Sequence, residues 1–133
     1  MKFTYPERTS DKYYAYGYYF NSALGGAPYF VEIRGIPVEI PELPGFDLFA
    51  SRGYDSFAKK PKALRGHDWF IYEGYCGYML GGQFCKTPED AIAWVSHQCQ
   101  MKKGIVGKFA AELTGRIRSP RYGGVEASVV VGA

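Results

Sequence analysis

Hydrophobic positions in the first third of the chain fall at the period of two that extended backbone requires, since successive strand side chains point to opposite faces. In 13–20, Tyr14, Tyr16, Tyr18 and Phe20 form one ladder and Tyr13, Ala15, Gly17 and Tyr19 the other. Gly25 and Gly26 mark a turn, and Tyr29, Val31 and Ile33 then share a face, so a hairpin with a long loop is predicted. Ile36, Val38 and Ile40 continue the alternation, but Pro37 and Pro41 donate no ladder hydrogen bond, which makes this piece an edge strand or an extended segment. From 44 to 68 the pattern breaks into glycines, prolines and scattered aromatics: a short strand at 46–50, then a long loop. Two further strands are predicted at 69–73 and 78–84, the second shortened or bulged by Gly81 and Gly82.

The period then changes to that of a helix. Thr87 is a good N-cap, Pro88 suits the first helical position, and Glu89 and Asp90 favour the positive end of the helix dipole. A helix over 88–102 follows, with Ala91, Ile92, Val95 and Cys99 toward a sheet. Trp94, His97 and Met101 make a second stripe, which packs on the long loop, is partly exposed, or meets a partner. In 105–117 a helix gathers Ile105, Val106, Phe109, Ala110, Leu113 and Ile117 on one arc, while a strand alternates almost as well. Composition favours the helix, although Gly107 and Gly115 each cost it about 1 kcal/mol relative to alanine. A basic turn and an apolar closing strand at 125–133 complete the pattern. It predicts an α+β fold: one domain, 1–133, with an antiparallel sheet of four to six strands and one or two helices packed on one face.

Composition adds three constraints. A chain of 133 residues, 47% of them hydrophobic, can bury a real core, and a formal charge of +3 permits an acidic partner without demanding one. The cysteines Cys76, Cys85 and Cys99 are odd in number and irregularly spaced, which predicts a reducing compartment. Positions 1–6 lack the apolar run of a signal peptide, and the 125–133 tail is shorter than half of a bilayer span, so a cytoplasmic protein without membrane contact is expected.

The chemistry-bearing residues do not converge in sequence. His97 and Cys99, two apart on a helix, point about 200° apart and cannot chelate, and there is no Cys-x-x-Cys knuckle, so neither metal nor cofactor is expected. Cys85 precedes the Thr87 cap, where a helix dipole can lower a thiol pKa, and His67 or His97 is a conceivable base; this is the enzyme alternative. The glycine pairs lack phosphate-loop spacing. Basic and aromatic residues do interleave, at Lys59, Lys60, Lys62 and Arg65 and again at Arg116, Arg118, Arg121 and Tyr122, a chemistry suited to binding.

The blocks Leu43-Pro44-Gly45-Phe46-Asp47-Leu48-Phe49, Trp69-Phe70-Ile71-Tyr72-Glu73-Gly74, Gly81-Gly82-Gln83-Phe84 and Lys86-Thr87-Pro88-Glu89-Asp90-Ala91-Ile92-Ala93 resemble small accessory proteins of phages and plasmids. That resemblance implies a class in which counter-defence inhibitors such as anti-CRISPR proteins occur. Those inhibitors share no motif, so it assigns no residue a role.

The leading expectation is a non-enzymatic binding protein that sterically occludes a protein or nucleoprotein surface. Its contacts are expected at Tyr13, Tyr19, Lys59, Lys60, Arg65, Trp94, His97, Arg116, Arg118, Arg121 and Tyr122. The large ladder from Tyr14 to Phe20 is assigned to the core, leaving Tyr13 and Tyr19 exposed about a shallow groove over Ala15 and Gly17. The alternatives are a nucleic-acid-binding module that stacks bases on tyrosines, and a small enzyme using Cys85 or His67.

Overall fold

The computed structural model describes residues 3–17, 29–52 and 69–124. Within them β1 (Tyr13–Gly17), β2 (Tyr29–Ile33), β3 (Ile36–Val38), β4 (Leu48–Ser51), β5 (Trp69–Glu73) and β6 (Met79–Cys85) precede α1 (Pro88–Met101), α2 (Ile105–Thr114) and a 3₁₀ turn, Pro120–Tyr122. The fold is α+β, and its strands divide into two antiparallel sheets, β1-β2 and β3-β4-β5-β6. β1 pairs with β2 from Tyr13 opposite Ile33 to Gly17 opposite Tyr29, as a hairpin requires. Strand β3, carrying Pro37, lies at the edge of the larger sheet. The predicted loop over 53–68 and closing strand at 125–133 fall outside the described residues.

Strand β4 explains why there are three layers. All of its residues are buried, so both of its faces must be covered. Leu48 and Ala50 pack, with Ile71 of β5, against Ala91 and Val95 of α1 and Phe109 and Leu113 of α2. Phe49 points the other way, with Tyr72, into a smaller core completed by Ala15, Val31 and Ile33 of the two-stranded ribbon. Phe49 and Tyr72 stack with centroids 5.2 Å apart and planes 11° from parallel.

This corrects half of the predicted facing of β1. The Tyr13–Ala15 ladder turns inward: Ala15 is buried, and the Tyr13 ring lies 4.4 Å from that of Phe49. Small Ala15 lets the ribbon approach an aromatic layer that a larger side chain would hold off. Tyr14 is also buried and Tyr16 meets Phe30 edge-on, so both ladders are partly covered. Tyr18, Tyr19 and Phe20 lie outside the described residues.

Helix α1 begins as predicted, with the Asp90 N–H donating to Thr87 Oγ1 at 3.1 Å. Its close seat on β6 depends on Gly81 and Gly82, which adopt φ values of +142° and +115° where the β5–β6 register shifts. A Cβ on Gly82 would stand 2.6 Å from the Trp69 carbonyl oxygen and 3.1 Å from Ala91 Cβ. The 105–117 segment is helical but stops at Thr114, whose hydroxyl donates to the Ala111 carbonyl at 2.7 Å. Ile117, expected on the apolar arc, lies beyond the helix end and is exposed.

Candidate partner-binding surface

The arginine and tyrosine of the basic turn are spent inside the molecule. Arg121 is only 2% exposed. Its guanidinium grips Asp47 through Nε–Oδ2 (2.7 Å) and Nη2–Oδ1 (3.3 Å), and its Nη1 donates to the Lys12 carbonyl at 3.2 Å. The same guanidinium stands 4.4 Å over the Tyr13 ring. Tyr122 is buried, and its hydroxyl donates to Asp47 Oδ2 at 2.6 Å. Burial and the neighbouring carboxylate push that hydroxyl's pKa well above the ordinary tyrosine range. The expectation that Arg121 and Tyr122 are surface contacts is therefore corrected. The 3₁₀ turn folds them back on Asp47, just before β4, and the Arg121 carbonyl accepts the Thr9 and Ser10 N–H groups, tying down the N-terminal segment. Tyr13, held between Phe49 and Arg121, is likewise a packing residue.

A second knot lies beside the first. Glu73, at the end of β5, is fully buried and accepts from Tyr5 Oη at 2.5 Å, the Tyr75 N–H at 2.8 Å, the Cys76 N–H at 3.0 Å and Cys76 Sγ at 3.3 Å. Burial raises its pKa above the ordinary carboxylate value, against the opposing pull of those donors. Tyr5 and Cys76 are pushed up too, first by burial and then by the Glu73 charge. Tyr5 Oη in turn accepts the Asp47 N–H at 3.0 Å, which joins the two knots. A cleft of about 880 Å³ opens over Tyr5, Asp47 and Tyr122, but the Asp47 carboxylate is already bonded to Arg121 and Tyr122. These groups lock an N-terminal segment, two strands and a turn together. Neither Asp47 nor Glu73 was singled out from sequence; the only trace is an acidic residue inside otherwise apolar blocks.

What faces outward is α1. Trp94 is 42% exposed and Met101 68%, and His97 between them is exposed as well. The indole is nonetheless seated, because its six-membered ring occupies the space that a side chain on Gly81 would need. Next to this stripe, between α1 and α2, runs a groove of about 710 Å³ with Leu80, Val95 and Phe109 among its lining residues. Leu80 adjoins the Gly81 seat, and Gln98 of the groove wall is one turn from both Trp94 and Met101, so stripe and groove form one surface.

The remaining predicted contacts are scattered. Arg118 is exposed; Arg116 is partly buried, with its guanidinium 4.2 Å over Tyr78 and a 3.2 Å ion pair to Glu112. Tyr19, Lys59, Lys60 and Arg65 lie outside the described residues. Cys85 is buried in the main core while His97 faces solvent, so those two are not brought together; His67 also lies outside the described residues. Among the described residues, no cluster of three or more His, Cys, Asp or Glu could hold a metal, and no helix is long and apolar enough to cross a membrane. No family model, curated protein or solved structure matches the chain.

Proposed function

We propose that the protein is a non-enzymatic binding protein, of the counter-defence inhibitor kind implied by its resemblance to phage and plasmid accessory proteins, and that it occludes a protein or nucleoprotein surface with the outward face of α1. One observation carries this reading: Trp94 is held against Gly81 yet leaves much of its indole in water, with His97 and Met101 in line. An aromatic ring already fixed in place loses little conformational freedom on docking, and tryptophan is prominent among the residues that dominate interface energies. The contacts move from the tyrosine and arginine cluster to this helix because Arg121 and Tyr122 are internally bonded.

Affinity capture from a bacterial host lysate, with and without nuclease, tests the reading. A partner recovered by the native protein is lost on Trp94→Ala with Met101→Ala, at unchanged melting temperature and regardless of nuclease. Recovery that is indifferent to both substitutions overturns it.

A further inference from the structure

We infer that the groove between α1 and α2 receives an acidic amphipathic helix of a partner protein. This rests on the occlusion reading and names the chemistry of the partner.

The groove carries two kinds of information. Its apolar lining, Leu43, Leu80, Val95, Val106 and Phe109 among it, asks for apolar anchors, and a volume of about 710 Å³ falls in the range of pockets that bury several side chains or a sizeable ligand. Its charges are unequal in a way that selects a sign. Lys108 lines it, and Lys102 and Lys103 stand exposed at the α1–α2 corner immediately before Ile105 and Val106 of the groove wall. Among the described residues no carboxylate pairs with any of these three lysines. Of the nearby acids, Glu112, which also lines the groove, is paired with Arg116, while Glu42 keeps its charge: its partners, Ser96 Oγ at 2.6 Å and Gln100 Nε2 at 2.8 Å, are neutral. Lys102, Lys103 and Lys108 outnumber that one carboxylate, so the unpaired charge around the apolar trough is positive on balance.

An extended peptide bound by main-chain pairing needs a strand edge; the edge strand β6 contributes Leu80, but most of the lining is side chains of the two helices. A helix brings its own satisfied backbone and presents anchors at spacings of three and four, which suits such a trough. Nucleic acid fits less well: a phosphate chain gains nothing from an apolar floor, and the stripe offers one large aromatic ring rather than a series for stacking.

Cys99 supplies a reporter, since it lines the groove and is partly exposed while Cys76 and Cys85 are buried. The probes are a labelled peptide of about four helical turns with leucine on one face and glutamate elsewhere, the same peptide with lysine for glutamate, and a single-stranded oligonucleotide. In fluorescence polarisation the acidic peptide binds at least about tenfold more tightly than the basic one, and Lys102→Glu, Lys103→Glu and Lys108→Glu together reverse that order. Bound acidic peptide also slows alkylation of Cys99 by about tenfold, because the thiol is covered.

Equal affinity for the two peptides, tighter binding of the oligonucleotide, or unchanged Cys99 alkylation overturns the inference. Protection of Cys99 in the protein alone as its concentration rises also overturns it, in favour of a second copy of the chain. Where the peptide arms fail but lysate capture stays sensitive to Trp94→Ala, the groove assignment falls and the occlusion reading stands. Where capture ignores Trp94 but the acidic preference holds, the reverse applies.

Discussion

Arg121 and Asp47, 74 positions apart in sequence, meet through two parallel hydrogen bonds in a site where the arginine is almost wholly buried. A fork of this kind fixes direction as well as distance, and a lysine cannot reproduce it. Gly74 leaves room for it, since a Cβ there would collide with the Asp47 carboxylate.

Arg121→Ala leaves Asp47 and the Tyr122 hydroxyl without their cation and the Lys12 carbonyl without its donor. The expected loss is about 3 kcal/mol, the usual scale for breaking one half of a buried pair. Arg121→Lys recovers less than half of it. Urea denaturation of the three proteins measures both, and full recovery by lysine would show that charge alone matters.

Glu73 gives a pH dependence whose sign is fixed by its raised pKa. The folded protein holds this proton more tightly than the unfolded chain, whose carboxyl titrates near the ordinary value of 4.5. Its contribution to stability is complete below that value and is lost as pH rises through the folded pKa. Glu73→Gln removes the titration and, by placing an amide among four donors, also costs about 1–3 kcal/mol. The stability difference between native protein and variant therefore shrinks from pH 4.5 toward neutrality. A difference that grows over that range contradicts the assignment.

Gly107 lies inside α2, outside the positive-φ region, with nothing within 4 Å of where a Cβ would go. Gly107→Ala should stabilise the protein by about 0.5–1 kcal/mol, the helix-interior penalty of glycine. The gain reads as a higher thermal midpoint; a lower one would mean that α2 is not helical through this position.

These sites mark where sequence was readable. The Thr87 cap, Pro88 and the acidic first turn lie within a few residues of each other and specify α1 locally, and the alternation over 29–33 and the aromatic, apolar run over 69–73 specify strands equally well. Periodicity separates the two faces of β1 but does not say which one meets the sheet; that depends on β4 needing cover on both sides. The Asp47–Arg121 fork and the Glu73 cradle join segments distant in the chain, and no local pattern announces them. Trp94 and His97 were legible as a stripe off the core face, whereas the adjoining groove depends on how α2 leans on α1.

Gly81 and Gly82 are neighbours with separable roles, and substituting each in turn tests whether the seat of Trp94 is distinct from the seat of α1. At Gly82 a Cβ meets the Trp69 carbonyl oxygen at 2.6 Å, and the φ of +115° is one that other residues rarely adopt, so backbone must shift. Gly82→Ala should therefore cost about 2–3 kcal/mol and loosen α1 as a whole. At Gly81 the obstruction is the Trp94 ring, a side chain that can swing outward, which limits the added loss to the backbone strain at φ +142°. Gly81→Ala should cost roughly 1–2 kcal/mol while freeing the indole, detected as lower Trp94 fluorescence anisotropy in a Trp69→Phe background. Under the occlusion reading, the same variant weakens partner capture more than its stability loss explains, because the anchor is no longer pre-set. Equal capture by native protein and Gly81→Ala would show that the seat is packing alone.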